Sequence, residues 1–346
     1  MAVLTATKLN DLVNTTLRDL DEPNFTQIAQ TLTRYTAMSK LMKKKKRTIS
    51  SGYGVQWDAM VNFSGTAENV GLGSQDSIEL VDTMTQAQVD WRNTKVHWSV
   101  IGQEISMNGG KRRIVNLINA RRIAAMGSLA ELMENNFWGP PVALTDEVTP
   151  WGIKTWIVKN ATEGFNGGAP SGYTTIGLNP TTYPAWKNYT APYTAKTKDD
   201  LIRKLRRAAR KTNFMPIVEA PESNSGDMFG YYTNESVFET MEEVLETQND
   251  NLGNSLDPKR GAVVFNRSEL EWVPKLDADT TDPVYGINWG WFETVTLIDW
   301  WLKQTVVPVY PGQHTVQATF LDCTYQHVIK NRREMFVVSN GTTEPG

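Results

Sequence analysis

The chain has 346 residues, with 35 lysines and arginines against 38 aspartates and glutamates and a formal net charge of -3. That balance excludes binding of nucleic acid through an overall basic surface, so any basic function is local. A single cysteine, Cys323, excludes an internal disulfide framework, and no stretch carries the roughly 20 apolar residues needed to cross a bilayer, so the chain is expected to fold in a reducing compartment with no membrane span.

Twelve tryptophans are many for an acidic chain of this length. They have two readings: large contact surfaces, where an aromatic ring is apolar at one end and wet at the other, or packing inside β-structure.

Residues 1–42 hold two narrow helical stripes. Leu9, Leu12, Val13, Leu17 and Leu20 form the first, stopped by Asp21 and Pro23; Phe25, Ile28, Leu32 and Tyr35 begin the second after Asn24. Short amphipathic helices of this kind are marginal alone and require another surface. Then comes the run Lys43, Lys44, Lys45, Lys46 and Arg47, where helical spacing gives way to alternation.

From Val55 the period is two: Val55, Trp57, Ala59, Val61 and Phe63 alternate with polar residues, Met60 excepted. Val96, Trp98 and Val100 repeat the pattern, while Val89 and Trp91 lie in a shifted phase that predicts a bulge near Asn93. The polar stretch between them carries Glu68, Asp76, Glu79 and Asp82, so these residues predict a long two-stranded excursion with an acidic tip. Such an excursion cannot support itself.

"KRRIVNLINARRIAAMGSLAELMENNFWGPP" predicts a helix over 110–137 with Ile114, Leu117, Ile118, Ala125, Leu129, Leu132 and Met133 on one face, ended by Gly139, Pro140 and Pro141. Its start is basic, at Lys111, Arg112 and Arg113, where positive charge opposes the helix dipole. Residues 139–195 read as loops and brief strands, with "NGGAPSG" at 166–172 taken as a loop. A basic helix follows, "TKDDLIRKLRRAARKT", burying Leu201, Ile202, Leu205, Ala208 and Ala209. An acidic one comes next, "NESVFETMEEVLETQND", burying Val237, Phe238, Met241, Val244 and Leu245. Strand-like pieces around them, then alternation at Val316, Ala318 and Phe320 and the run "MFVVS", complete an α+β pattern.

Enzyme signatures are missing: no strand with G-x-G-x-x-G, no P-loop, no G-x-S-x-G, C-x-x-C or H-E-x-x-H. His97, His314 and His327 stand apart, Cys323 reads as a buried thiol, and Glu239, Glu242, Glu243 and Glu246 read as one solvated or partner-facing helix side. No catalytic residue, metal or cofactor is expected. For the basic clusters an ordinary solvated face is the plain alternative.

The order of elements resembles the Hong Kong 97 fold of tailed-bacteriophage major capsid proteins and encapsulins: an arm, a long excursion, one long helix beginning "GGKRRIVNL", a mixed domain, and a return to strands. "WVPKLD…PVYGINWGWFETVTL" and "QATFLDCTYQHVIKNRREMFVVSNG" are similar to the closing part of such chains. The resemblance implies an N-terminal arm at 1–48, an extended loop at 49–102, a peripheral domain at 103–195 with its spine helix at 110–137, an axial domain at 196–313 and a closing peripheral segment at 314–346. It implies a structural virion protein and no enzyme. Copies would self-assemble as hexamers and pentamers of an icosahedral shell around double-stranded DNA, in the cytoplasm of a bacterial host. A portal, a separate scaffolding protein and a decoration protein would be its partners, and DNA would be held through non-specific phosphate contacts.

Some members of that family crosslink through a lysine in the extended loop, but none lies between Lys46 and Lys95, so non-covalent shells are expected. The first stripe begins at Leu9, so an uncleaved chain is expected. An encapsulin-like compartment and an unrecognised hydrolase are the alternatives. For Lys43–Arg47 and Lys111–Arg113 the expectation is contact with neighbouring subunits or with DNA, and for Glu68, Asp76, Glu79 and Asp82 it is contact between subunits. A subunit contact is favoured for the lysine run, because the acidic tip offers a complement.

Overall fold

The computed structural model describes residues 35–44, 46–61, 67, 69, 82–107, 111–141, 146–169, 178–214, 228–250, 263–265, 268–307, 312 and 314–341, without the side chains of 42, 43, 105, 111–116, 245–250 and 264. The first amphipathic stripe, the second up to residue 34, and the stretch 216–220 lie outside these residues.

In chain order the described elements begin with α1 (Thr36–Lys43), β1 (Arg47–Ile49), β2 (Gly54–Met60), β3 (Met84–Asp90), β4 (Arg92–Ile101), α2 (Gly102–Met107), α3 (Lys111–Trp138), α4 (Ile153–Trp156), β5 (Gly164–Gly167) and β6 (Asn188–Pro192). They continue with α5 (Arg203–Lys211), β7 (Phe229–Thr233), α6 (Glu235–Asp250), β8 (Val263–Phe265), β9 (Ser268–Trp272), β10 (Val284–Asn288), β11 (Phe292–Leu297), β12 (Lys303–Val307), β13 (Val316–Ile329) and β14 (Phe336–Ser339). They group into two compact units: Met1–Lys44, Asn93–Asn135 and Thr296–Tyr325 in one, Lys45–Arg92, Asn136–Val295 and Gln326–Gly346 in the other.

In the first unit, β12 runs antiparallel to β13 from Lys303↔Asp322 to Val307↔Ala318, and β4 pairs with β13 as well. Over these strands α3 lays Ala125, Leu129 and Met133, a spacing of four that keeps one helix face against Trp98, Leu321, Cys323 and Tyr325. Leu132, expected on that face, is 43% exposed, because it sits about 100° around the helix from Met133. Cys323 is buried, and burial pushes its thiol up to about 11, as an inert packing residue requires.

The bulge expected near Asn93 is instead a break at Trp91. Ala87 and Val89 point inward from β3, whereas Arg92, Thr94, Trp98 and Val100 do so from β4, so the inward parity switches from odd to even. The reason is that the two strands serve different partners: β3 pairs with β2, β4 with β13, and the chain passes between units at Arg92. A one-residue shift is what turns every side chain to the other face.

The second unit holds a seven-stranded sheet in the order β5-β6-β14-β10-β7-β9-β8. On one face α5, the turn that leads into it, and α6 bury Leu201, Ile202, Leu205, Ala208, Ala209, Val237 and Met241 against Tyr189, Tyr231, Leu270, Val284, Phe336 and Val338. The basic helix is entered through a π-helical turn, Lys198–Ile202, where the Thr197 side chain accepts the Asp200 amide. Asn234 caps α6 by accepting the Val237 amide at 3.2 Å. In the middle, β14 is parallel to β6 and antiparallel to β10, and Phe336 lies across Gly286, where a Cβ would come within 2.3 Å of the ring. Glycine is required there by close approach.

A second aromatic group joins Phe137, Trp138, Tyr232, Trp289, Phe292 and His327. His327 is enclosed by it, with Nδ1 at 3.2 Å from Thr294 Oγ1, and burial lowers its pKa to about 3. Trp156 touches Trp57, Trp151 and Trp186 in turn. Seven of the twelve tryptophans are buried, namely Trp57, Trp98, Trp138, Trp151, Trp156, Trp186 and Trp289, so core packing accounts for most of them.

Strands β2 and β3 form a separate two-stranded antiparallel sheet, in register from Gly54↔Asp90 to Met60↔Met84. Val55, Trp57, Ala87 and Val89 are buried; Gln56, Gln86 and Gln88 form an outward hydrogen-bonded ladder. Met60 and Met84, paired at the far end, are 62% and 52% exposed. Within "NGGAPSG", taken as a loop, Asn166 and Gly167 are the last residues of β5, while 170–172 lie outside the described residues.

Candidate assembly interface

The lysine run begins where α1 ends. That helix is fixed at its start by a carboxylate: Thr36 Oγ1 and the amides of Ala37 and Met38 donate to buried Glu134 of α3 at 3.2, 3.1 and 2.8 Å. A negative group at a helix N-terminus satisfies orphan amides and suits the dipole. At the other end the Lys44 amide donates to Lys40 O at 2.9 Å and Lys44 turns extended, which stops the helix and places cationic residues where the dipole favours them. The first segment of the first unit ends at Lys44, and the first segment of the second begins at Lys45.

Past that point Arg47 opens β1, which pairs with β11, and its guanidinium stands 3.7 Å from Glu293, which also accepts from Lys330 at 2.7 Å. Lys46 is partly buried, and burial lowers its pKa. So Arg47 is engaged within its own chain, while Lys45 and the side chain of Lys43 lie outside the described residues.

Of the second basic cluster, Lys111, Arg112 and Arg113 form the first turn of α3, and their side chains lie outside the described set. Arg121, two turns on, donates to the buried Glu104 carboxylate at 2.7 Å and to Ser99 O at 2.6 Å. Arg121 is thus paired with an acid of its own chain. Of the acidic tip, Glu68, Asp76 and Glu79 lie outside the described residues. Asp82 is exposed and accepts the Met84 amide at 3.3 Å, closing the start of β3.

Several charged sites carry no signal in the sequence. Lys154 and Lys159 share the Asp279 carboxylate at 2.8 and 2.6 Å; burial pushes that carboxyl up, but the two lysines outweigh it and hold it well below the usual range. Arg332 is buried without a carboxylate among the described residues. It donates to Trp156 O, Gly168 O and Asn188 Oδ1 at 2.5, 2.8 and 3.0 Å and lies over Trp186, and burial lowers its pKa to about 9. Arg207, Glu163 and Tyr189 line an open depression of about 470 Å³; burial raises the Tyr189 hydroxyl to about 12. Each joins residues far apart in the chain, and single-sequence periodicity cannot see such pairs.

Among the described residues no group of three or more His, Cys, Asp or Glu could hold a metal ion, and no helix is long and apolar enough to cross a membrane.

The fold is of the Hong Kong 97 type, the architecture of tailed-phage shell chains. The chain is similar to one in the cyanophage A-1(L) capsid asymmetric unit, with a TM-score of 0.66 and 12% identity over 94% of this chain and 97% of that one. It is similar to a capsid chain of a native GTA particle, with a TM-score of 0.56 and 10% identity over 93% and 96%. A chain of Mycobacterium phage Ogopogo matches with a TM-score of 0.53 and 14% identity over 98% and 100%. No family model matches the sequence, and no curated protein matches it.

Proposed function

We propose that this protein is the major capsid protein of a tailed bacteriophage, building a non-covalent icosahedral shell of hexamers and pentamers around double-stranded DNA. The observation that carries this reading is the end-to-end match in both directions to a cyanophage capsid chain, 94% of one and 97% of the other. The match covers nearly the whole of each chain rather than one segment of it. In this reading residues 1–48 are the arm, 49–102 the extended loop, 103–195 and 314–346 the peripheral domain and 196–313 the axial domain. Scaffold, portal and decoration proteins complete the particle.

Lys43–Arg47 then act as an assembly joint, with packaged phosphate as a secondary contact that is salt-sensitive and sequence-blind. The position of the run supports this: it follows a helix held by Glu134 and spans the passage from one compact unit to the other. Negative-stain microscopy of the full chain, coexpressed with its scaffold, tests the shell reading; a small monodisperse species would sink it. Denaturing gels of the particles should show monomer bands only. Replacing Lys43–Lys46 with glutamine should impair shell formation even without DNA, whereas normal empty shells would assign the run to the genome instead.

A further inference from the structure

Helices α5 and α6 pack on the same face of the seven-stranded sheet but carry opposite charge outward. On α5, the exposed residues Arg206, Arg210 and Lys211 have no carboxylate partner among the described residues, while Arg203, Lys204 and Arg207 are matched locally by Asp199, Asp200 and Glu163. On α6, the exposed Glu235, Glu239 and Glu242 have no cationic partner among those residues. Arg206 and Arg210 on α5, like Glu235 and Glu239 on α6, are four residues apart, about 6 Å along either helix, so one pair of charges on each has the same interval.

Among the described residues no ion pair joins the two stripes within one chain. Helix α5 lies over β6 and β14, and α6 lies over β8 and β9, with β10 and β7 between them in the strand order. Each copy therefore presents one basic stripe and one acidic stripe that are unmatched among the described residues, from two different elements. Complementary patches at different places on one molecule define a heterologous contact, and such contacts close into rings when the rotation allows.

Building on the shell reading, we propose that the α5 face of one copy docks on the α6 face of the next, so that a head-to-tail ring of charge contacts sets the neighbour relation within a capsomer. The partner is a second copy of this chain. A nucleic acid would satisfy only the basic stripe and would leave Glu235, Glu239 and Glu242 facing the same phosphate-rich surroundings.

Two full-length variants test this: Arg206→Glu with Arg210→Glu, which makes both faces acidic, and Glu239→Lys with Glu242→Lys, which makes both basic. All four positions are exposed, and the free subunits should keep the wild-type circular dichroism and melting. Each variant alone should lose about tenfold or more of its assembled fraction at low salt, the result of like charges meeting across the contact. Mixed in equal amounts they should assemble again, and only into capsomers with an even number of subunits, because acidic-faced and basic-faced copies must alternate. A chain with all four changes should assemble alone.

Should a reversed variant lose its helical spectrum, Arg206→Gln with Arg210→Gln carries the same test. Wild-type assembly weakens between about 0.1 and 1 M salt as screening shortens from about 10 to 3 Å, and this variant should flatten that dependence. The proposal is overturned if either reversed variant assembles like the wild type, if the four-fold change fails to restore assembly, or if only DNA retention falls. A wild-type chain that forms no shell would instead overturn the capsid reading, before any variant is compared.

Discussion

The seven-stranded sheet and the β2–β3 hairpin belong to the same compact unit, yet they are built on opposite principles. In the sheet, β14 has a neighbour on each side and Phe336 is shared by Phe214, Tyr231 and the floor left by Gly286. In the hairpin each strand has one partner, one face is a glutamine ladder, and the paired methionines at its far end are open to solvent. The sheet is stabilised by what the chain itself supplies. Among the described residues the hairpin buries one row of side chains and leaves its edges unpaired and its outer face exposed, an arrangement that natural monomers avoid. The contacts that stabilise the sheet and the surface that the hairpin leaves open therefore lie in different places.

The largest effect should come from the sheet. Phe336→Ala removes a fully buried ring that packs on two other aromatics and should cost about 3–5 kcal/mol, read as a large loss of melting temperature or of soluble protein.

A pH titration separates the same core from the rest. The folded pKa of His327 lies below its ordinary value of 6.5, at about 3, so its contribution is complete above pH 6.5 and is lost as pH falls toward 3, where the unfolded chain takes a proton that the folded chain refuses. Asp279 is also held low, but its loss begins only near pH 4, below the upper part of that window. Stability measured by denaturant between pH 6.5 and 4 should fall in the wild type and stay flatter in His327→Gln. Equal slopes would show that another group governs the acid limb.

The smallest effect on stability should come from the hairpin. Met60→Ser with Met84→Ser changes an exposed pair and should leave subunit stability within about 0.5 kcal/mol. Shell yield should nevertheless drop if that end of the hairpin meets a neighbour. Unchanged yield would remove the contrast drawn between the two regions.

Much of this was legible where it depended on local spacing. The burial of Leu201, Leu205, Ala208 and Ala209, the inward alternation of Val55 and Trp57, and the long helix ending before Gly139 all follow from periods of 3.6 and 2. What failed depended on partners distant in sequence. Nothing near Trp91 announces that β3 and β4 join different sheets, and a run such as Phe336–Ser339 does not say that its neighbour is Asn188–Pro192. Glu134 reads as one more polar helix residue, although it holds the amides of a helix 97 residues away. The charges at Arg206 and Glu239 are visible in the sequence; that they have no opposite partner among the described residues required the fold.

The division of the chain between two units has a consequence for synthesis. The chain changes unit after Lys44, Arg92, Asn135, Val295 and Tyr325, so neither unit is a continuous piece of sequence. Asn93 waits for Thr324, 231 residues later, and the Asp90 carbonyl waits for Gln326, 236 residues later. At about 5–20 residues per second, translation leaves both units unfinished for many seconds. A ribosome-bound chain thus completes neither unit until Thr324 and Gln326 have emerged, and a chain terminated before them contains neither unit whole.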